Sequence, residues 1–324
     1  MKKPLLLAGI AVVLAVLLLL PSVITVKYYM QLVILALIWV IVAQGQNIIQ
    51  GFTGYVSITQ AGLMGIGAYA SALMSTTLGW PVWLALACAP ILTSFFALVV
   101  GYPSLRVKGH YFAIVTLAYN MVIFTVLTNF SALTGGEAGI PNIPKPEALL
   151  GGRLNFADRS TYYYLVAICA VAMTLLAARI LRSRVGRILL AIRENETFAV
   201  ATGIAVWKYK LFAFVLSGFY AGLGGALFAH YQSFINPESF GVAQSLDGIL
   251  AVILGGSGTI LGPVIGAFAV IFLPEFLRFA DSFRLIVYGF LLVVATIFMP
   301  KGLASLLAKG WHTAAGTFPM RTPK

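Results

Sequence analysis

Charged side chains are scarce in this chain. Only 9% of its 324 residues are charged and 60% are hydrophobic, whereas a soluble globular domain carries about 25% charged residues. We therefore expect an integral membrane protein. Acidic residues are the rarest charged type, at nine against 21 basic residues. The basic residues stand at the ends of apolar runs, where membrane topology and lipid headgroups explain them without nucleic acid as a partner.

Residues for metal, redox or acid–base chemistry are also missing. Cys88 and Cys169 lie in separate apolar runs, and the three histidines have no carboxylate or cysteine at metal-ligand spacing. Pro263 stands where a phosphate-binding loop would need lysine. We expect no catalytic residues, no metal and no cofactor, and an enzyme is disfavoured. Buried acidic residues, which ion-driven carriers use, are equally scarce, so a transporter of this kind needs another energy source.

Long uncharged runs make up most of the chain. They predict an all-α integral membrane protein with about ten transmembrane helices, several of them short or broken, and with both chain ends in the cytoplasm. A count of nine, with residues 247–273 as one crossing, is the alternative. The first run also resembles a signal peptide, but its length and the lack of a cleavage site favour a retained helix. The expected spans are residues 5–26, 29–49, 51–74, 81–102, 109–130, 161–181 and 211–231, two short helices within 247–273, and 283–299.

Two of these runs are interrupted by glycine. One interruption lies near residues 54–67 and the other near residues 255–266. Broken helices at membrane depth are typical of backbone that lines a cavity, although closely spaced glycines also serve tight helix packing. One interruption in each half predicts an internal repeat around a shared pathway. Polar side chains within spans are equally typical of helix packing and of a pathway. The residues that we assign to the pathway are Gln44, Asn47, Ser57, Gln60 and Asn120.

The longest charged run spans residues 182–210, which we call the basic segment. The positive-inside rule places it in the cytoplasm. Apolar residues at helical spacing predict a basic amphipathic helix, followed by a second short helix that ends near Gly203. The pattern fits either a loop held to lipid headgroups or a docking surface for a soluble partner. The six cations that define the segment are Arg182, Arg184, Arg187, Arg193, Lys208 and Lys210.

Several stretches, in order along the chain, resemble the LivM-type permease subunits of branched-chain amino acid ATP-binding-cassette importers. The resemblance implies a multi-pass subunit of the bacterial inner membrane. It also implies a homologous, LivH-like second permease subunit, two ATPase subunits and a periplasmic substrate-binding protein as partners. Membrane lipid is a further expected partner. The implied domains are a single permease domain over residues 1–310 and a cytoplasmic tail over residues 311–324. The stretches that carry the resemblance are residues 54–74, 105–118, 133–141, 186–227 and 253–267.

The resemblance further implies that the basic segment is a coupling segment docked into a cleft of an ATPase. Small Ala199 and Ala201 would seat in that cleft, and the charged end of the second helix would set its register. Gln60 replaces a histidine common among relatives, so we expect no titration there. The alternative function is an ATP-independent channel for a small neutral solute such as urea or an amide, which leaves the basic segment unexplained. The implied ATPase contacts are Arg193, Glu194, Asn195, Glu196, Ala199 and Gly203.

Overall fold

The computed structural model describes residues 20–21, 26–107, 109–148, 155–276, 289 and 302, and the regular elements in this part of the chain are all helices. A single bridge between Ile140 and Ile235 is the only β pairing within those ranges. The expected first span (5–26), last span (283–299) and tail (311–324) lie outside the described residues apart from isolated positions. The all-α architecture is therefore confirmed, whereas the number of spans stays a prediction.

Long apolar runs form long helices because a helix satisfies its own backbone hydrogen bonds in an apolar setting. Six helical stretches in the described part are long and apolar enough to cross a membrane. The glycine- and proline-rich segment after residue 130 contains a one-turn helix at Ser131–Thr134 and a 3-10 turn at Gly136–Ala138. The main helices are α1 Lys27–Thr53, α2 Gln60–Thr76, α3 Val82–Ser104, α4 His110–Asn129, α5 Arg159–Arg182, α6 Arg184–Glu194, α7 Glu196–Ala201, α8 Val206–Gln232, α9 Val242–Gly255 and α10 Gly262–Phe276.

Helix α1 lies at the centre of the bundle. It packs against α5, α8, α9 and α10. From Val40 to Thr53 every side chain is buried, including those of Gln44, Gln46, Asn47 and Gln50. Four buried amide side chains in one apolar helix need hydrogen-bond partners nearby, because an unpaired polar group is costly in such surroundings.

The helices run between two ends of the bundle. Lys210, near the start of α8, contacts Tyr55, which follows α1, so the end of α1 lies beside the basic segment. We call this the basic end. Arg159 at the start of α5 donates a hydrogen bond to the carbonyl oxygen of Lys27 at the start of α1, at 3.3 Å. Those two starts mark the opposite end.

The first break separates α1 from α2. Helix α1 ends at Gly54, which adopts a left-handed conformation (φ 80°) and donates its N–H to the Gln50 carbonyl oxygen. Residues 54–59 are not helical, and α2 begins at Gln60. The predicted interruption is confirmed, but the predicted single span over 51–74 is wrong. Ser57 therefore lies in the non-helical connection between α1 and α2.

The second break separates α9 from α10. These two short helices pack against each other and are joined by a turn over residues 256–261. Glycine permits the contact, since a Cβ atom at Gly266 would overlap the Ala251 carbonyl oxygen and one at Gly255 would overlap that of Gly262. The expectation of two short helices packed through glycine is confirmed.

Close helix packing through glycine can be tested at two buried glycines, one in α8 and one in α9. A Cβ atom at Gly225 of α8 would overlap the Met64 carbonyl oxygen of α2, whereas one at Gly248 of α9 would meet only the Trp39 ring, at 3.7 Å. We expect Gly225→Ala to lower the apparent melting temperature of the solubilised protein by several degrees. Gly248→Ala should match or exceed the wild type, because alanine favours a helix over glycine by about 1 kcal/mol. Equal stability of the two variants in thermal unfolding followed by size-exclusion chromatography would contradict this packing.

Candidate functional site

Side-chain caps begin both helices of the basic segment. The Ser183 hydroxyl accepts a hydrogen bond from the Gly186 N–H at 3.3 Å and begins α6. The Asn195 side chain accepts one from the Phe198 N–H at 2.9 Å and begins α7. Both are residue types that satisfy the free amides of a helix start. The two predicted short helices of this segment are confirmed.

Gly203 ends α7 as the sequence predicts. It has a φ of 83° and donates its N–H to the Val200 carbonyl oxygen, while the Ile204 N–H reaches the Ala199 carbonyl oxygen. This is the hydrogen-bond pattern of a left-handed glycine stop, which satisfies the last carbonyls of the helix. Gly203 thus has a backbone role within the chain.

Helix α7 has a buried face and an exposed apolar face. Ala199 is only 1% exposed and packs with Ile192 and Val206. The expectation that Ala199 seats in a partner's cleft is therefore corrected, because its side chain lies inside this chain. The apolar surface that α7 offers is formed by Phe198 and Val200, which are 68% and 56% exposed. Sequence reasoning missed both of them.

Arg193 fastens the basic segment to the end of α1. Its Nη1 donates to the Gly51 carbonyl oxygen at 2.6 Å. That carbonyl belongs to the last turn of α1, where helix carbonyls lack helical partners and a cation is favourable. The same guanidinium lies against Gly258 of the second break, where a Cβ atom would overlap Nη1. Arg193 thus touches both breaks, whereas Glu194 and Asn195 are exposed.

A buried polar cluster joins α7, α8 and the first break. Lys210 Nζ donates to Glu196 Oε1 and to the Tyr55 hydroxyl oxygen, both at 2.9 Å, and that hydroxyl donates to Glu196 Oε2. Lys210 is 3% exposed and Glu196 23%. Burial, and then the hydrogen bond to Glu196, raise the pKa of Tyr55, which keeps its proton as the donor.

The contribution of Tyr55 was not predicted from sequence. The available signal was Lys210 itself. In the sequence, Lys210 directly precedes a long apolar run. A cation that becomes buried beside such a run needs a nearby anion. Glu196 is the acidic partner and Tyr55 completes the triangle, with its ring centroid 4.2 Å from Lys210 Nζ.

Gln44 and Asn47 hold the second break. Gln44 Nε2 donates to the Ile260 carbonyl oxygen at 2.7 Å. Asn47 Nδ2 donates to the Thr259 carbonyl oxygen at 2.8 Å, and its Oδ1 accepts from the Gly258 N–H at 2.9 Å. The two side chains thereby replace the backbone hydrogen bonds that the turn lacks.

The other three predicted pathway residues gather at the first break. Ser57 lies within it, Gln60 accepts a hydrogen bond from the Ser217 hydroxyl at 2.8 Å, and Asn120 Oδ1 accepts from the Gly62 N–H at 2.7 Å. All five predicted residues are buried, and in this structure they hold helix breaks together. Their role in a pathway stays a prediction.

A sequence profile of the family described as "Branched-chain amino acid transport system / permease component" matches residues 28–296. The chain belongs to this family. The permease is 33% identical over 289 residues to the high-affinity branched-chain amino acid transport system permease protein LivM of Escherichia coli, a match that covers 83% of this chain and 68% of LivM. The Salmonella typhimurium LivM is 32% identical over the same shares.

A more distant relative is named for a different cargo. The guanosine ABC transporter permease protein NupQ of Bacillus subtilis is 25% identical over 219 residues, which is 63% of this chain and 67% of NupQ. No solved structure matches the permease. Because members of this family are permease components of transport systems, the chain is a transport component and not an enzyme.

The buried cluster can be tested with two neighbouring lysines of α8. We expect Lys210→Met to destabilise the solubilised permease by about 1–3 kcal/mol, because it leaves Glu196 without its cation. Lys208→Met makes the same change at an exposed position and should be nearly neutral. Thermal unfolding and proteolytic cleavage within the basic segment measure both effects, and equal behaviour of the two variants would contradict a structural role for the cluster.

Proposed function

We propose that this permease is the membrane-spanning subunit of an ATP-binding-cassette importer for branched-chain or related small amino acids. Two separate ATPase subunits bind the basic segment and supply the energy. The observation that carries this proposal is the attachment of the basic segment to both helix breaks. The helix pair α6–α7 is bonded to both breaks and also exposes the apolar side chains of Phe198 and Val200. It can therefore bind a partner and transmit the partner's movement to the breaks.

The contacts support a specific route of coupling. When the ATPases close, they displace α7 as a rigid body. The Glu196–Lys210–Tyr55 cluster carries that displacement to the first break, and Arg193 carries it to the second break. Because both breaks are bonded to α1, they shift together and alternate the access of the pathway. The proposed roles of Arg193 and Glu196 are thus transmission, while Phe198 and Val200 make the ATPase contact together with exposed Glu194 and Asn195.

The two LivM relatives support branched-chain amino acids as cargo, since they are more similar to the chain than the guanosine relative is. The side chains at the breaks agree with a cargo that needs no proton coupling. The five residues assigned to the pathway, Gln44, Asn47, Ser57, Gln60 and Asn120, are neutral amides or hydroxyls that do not titrate. We place most of the selectivity in a periplasmic binding protein that delivers the cargo.

The charge distribution supports the orientation that we propose. The basic segment and Arg106 lie at the basic end. The opposite end carries fewer cations, and there Lys27, Lys145 and Arg159 stand beside Glu137, Glu147 and Asp158. We therefore place the basic end, with both chain termini, in the cytoplasm of a bacterial inner membrane, crossed by ten spans with an internal repeat. A LivH-like second permease and lipid then cover the exposed apolar faces of α3 and α4, and the binding protein docks at the opposite end.

The proposal predicts which side chain holds the ATPases. We expect Phe198→Asp to remove the ATPase subunits from tagged permease purified from gently solubilised native membranes, because a carboxylate replaces an apolar anchor at the interface. Mass spectrometry of the purified complex measures their recovery. The second permease subunit should remain, since α7 lies away from the faces of α3 and α4.

Phe198→Leu is the matched control and should retain the ATPases. Recovery of ATPases with Phe198→Asp at the wild-type level would contradict the docking surface. Purification of the wild-type chain alone, with solute uptake in vesicles that lack ATPases, would favour the channel for a small neutral solute.

A further inference from the structure

Helix α2 begins in the interior of the bundle and not at its basic end. Gln60 lies beside Ser217, which is two turns further along α8 than Lys210 at the basic end, a rise of about 10 Å. The next contact of α2 is with Asn120, halfway along α4. Residues 54–59 reach this depth as non-helical backbone, which is tolerated in a membrane protein only where protein or a cavity surrounds it.

The first turn of α2 presents two amides to side chains of other helices. The Ala61 N–H donates to the Ser245 hydroxyl of α9 at 3.0 Å, and the Gly62 N–H donates to Asn120 Oδ1 of α4 at 2.7 Å. Both acceptors are neutral. The start of a helix carries a partial positive charge and binds an anion better than a neutral oxygen.

Asn120 provides an independent indication that this place receives a ligand. It is 0% exposed, and among the residues that the structure describes its Nδ2 has no hydrogen-bond partner. Because Oδ1 accepts from Gly62, the amide orientation is determined and Nδ2 is the atom left over. An unpaired buried donor costs about 1–3 kcal/mol. A ligand oxygen beside the first turn of α2 would remove that cost.

We propose that the carboxylate of the amino acid in transit binds at the first turn of α2. Its oxygens replace Ser245 Oγ and Asn120 Oδ1 as acceptors from Ala61 and Gly62, and Asn120 Nδ2 donates to it. The inference rests on the proposed function, in that the cargo is an amino acid. In the present structure, the two side-chain oxygens of Ser245 and Asn120 occupy the place that the carboxylate would take.

The position of Ser245 connects this site with the second break. Ser245 lies on α9, which leads directly into the turn over residues 256–261. Release of Ser245 from Ala61 therefore removes a hydrogen bond that joins α9 to α2. Binding of cargo and movement of the second break are then linked through this hydrogen bond.

The test places a fixed carboxylate in the site. The complete complex, with partner permease and ATPases, is reconstituted in proteoliposomes with the binding protein, and import of radiolabelled L-leucine is measured. We expect Asn120→Asp to lower import at least about tenfold, because its charge occupies the amides and repels the cargo carboxylate. The N–H groups of α2 keep that aspartate ionised.

Asn129→Asp is the matched control, since it makes the same change at the exposed far end of α4 and should import leucine normally. Ser245→Asp introduces the charge from α9 and should reproduce the loss. Import within about twofold of wild type by an assembled Asn120→Asp or Ser245→Asp complex would overturn the proposal.

Two further outcomes are decisive. If neither charged variant assembles, Asn120→Ala is measured instead. The proposal predicts a raised KM for leucine, and a wild-type KM overturns it. A wild-type complex that imports no amino acid contradicts the proposed function itself, and this is seen before any variant is compared.

Discussion

Backbone groups freed by two helix breaks must find hydrogen-bond partners inside an apolar bundle, and the rest of the structure follows from this requirement. Unpaired amides and carbonyls are costly in such surroundings. Helix α1 meets much of the requirement, because Asn47 and Gln44 bond the turn over residues 256–261 and Gln46 Nε2 donates to the Ser57 carbonyl oxygen at 2.9 Å. One helix therefore holds both breaks. A rearrangement at one break disturbs α1 and with it the other break.

The basic segment joins this arrangement through charge. Arg193 occupies the end of α1, where the helix dipole and free carbonyls favour a cation, and it touches the second break at the same time. Lys210 and Glu196 form an ion pair that is nearly closed to solvent, and loss of either member leaves the other uncompensated. Such contacts resist separation. In the proposed coupling, a force applied to α7 is therefore transmitted to the breaks.

Local sequence patterns predicted most of the helices of this permease and the positions of its two breaks. Apolar length predicted the long helices, glycine predicted both breaks, and caps and charge predicted α6 and α7 with Gly203 at the end. Which side chains meet in space was not predicted, because it depends on how distant segments pack. Ala199 was assigned to a partner on its small size, but packing with Val206 buries it. The roles of Tyr55 and Ser245 needed the fold, since each bonds a residue more than a hundred positions away.

The central claim is that Arg193 transmits ATPase movement to the two breaks. The most direct measurement is the number of ATP molecules hydrolysed per leucine imported by the reconstituted complex. Arg193→Gln should keep its ATPases and hydrolyse ATP, yet import about tenfold less leucine per ATP, because the bond to Gly51 is lost. Arg187→Gln changes an exposed arginine of the same helix and should leave the ratio unchanged. A wild-type ratio for Arg193→Gln would contradict the account.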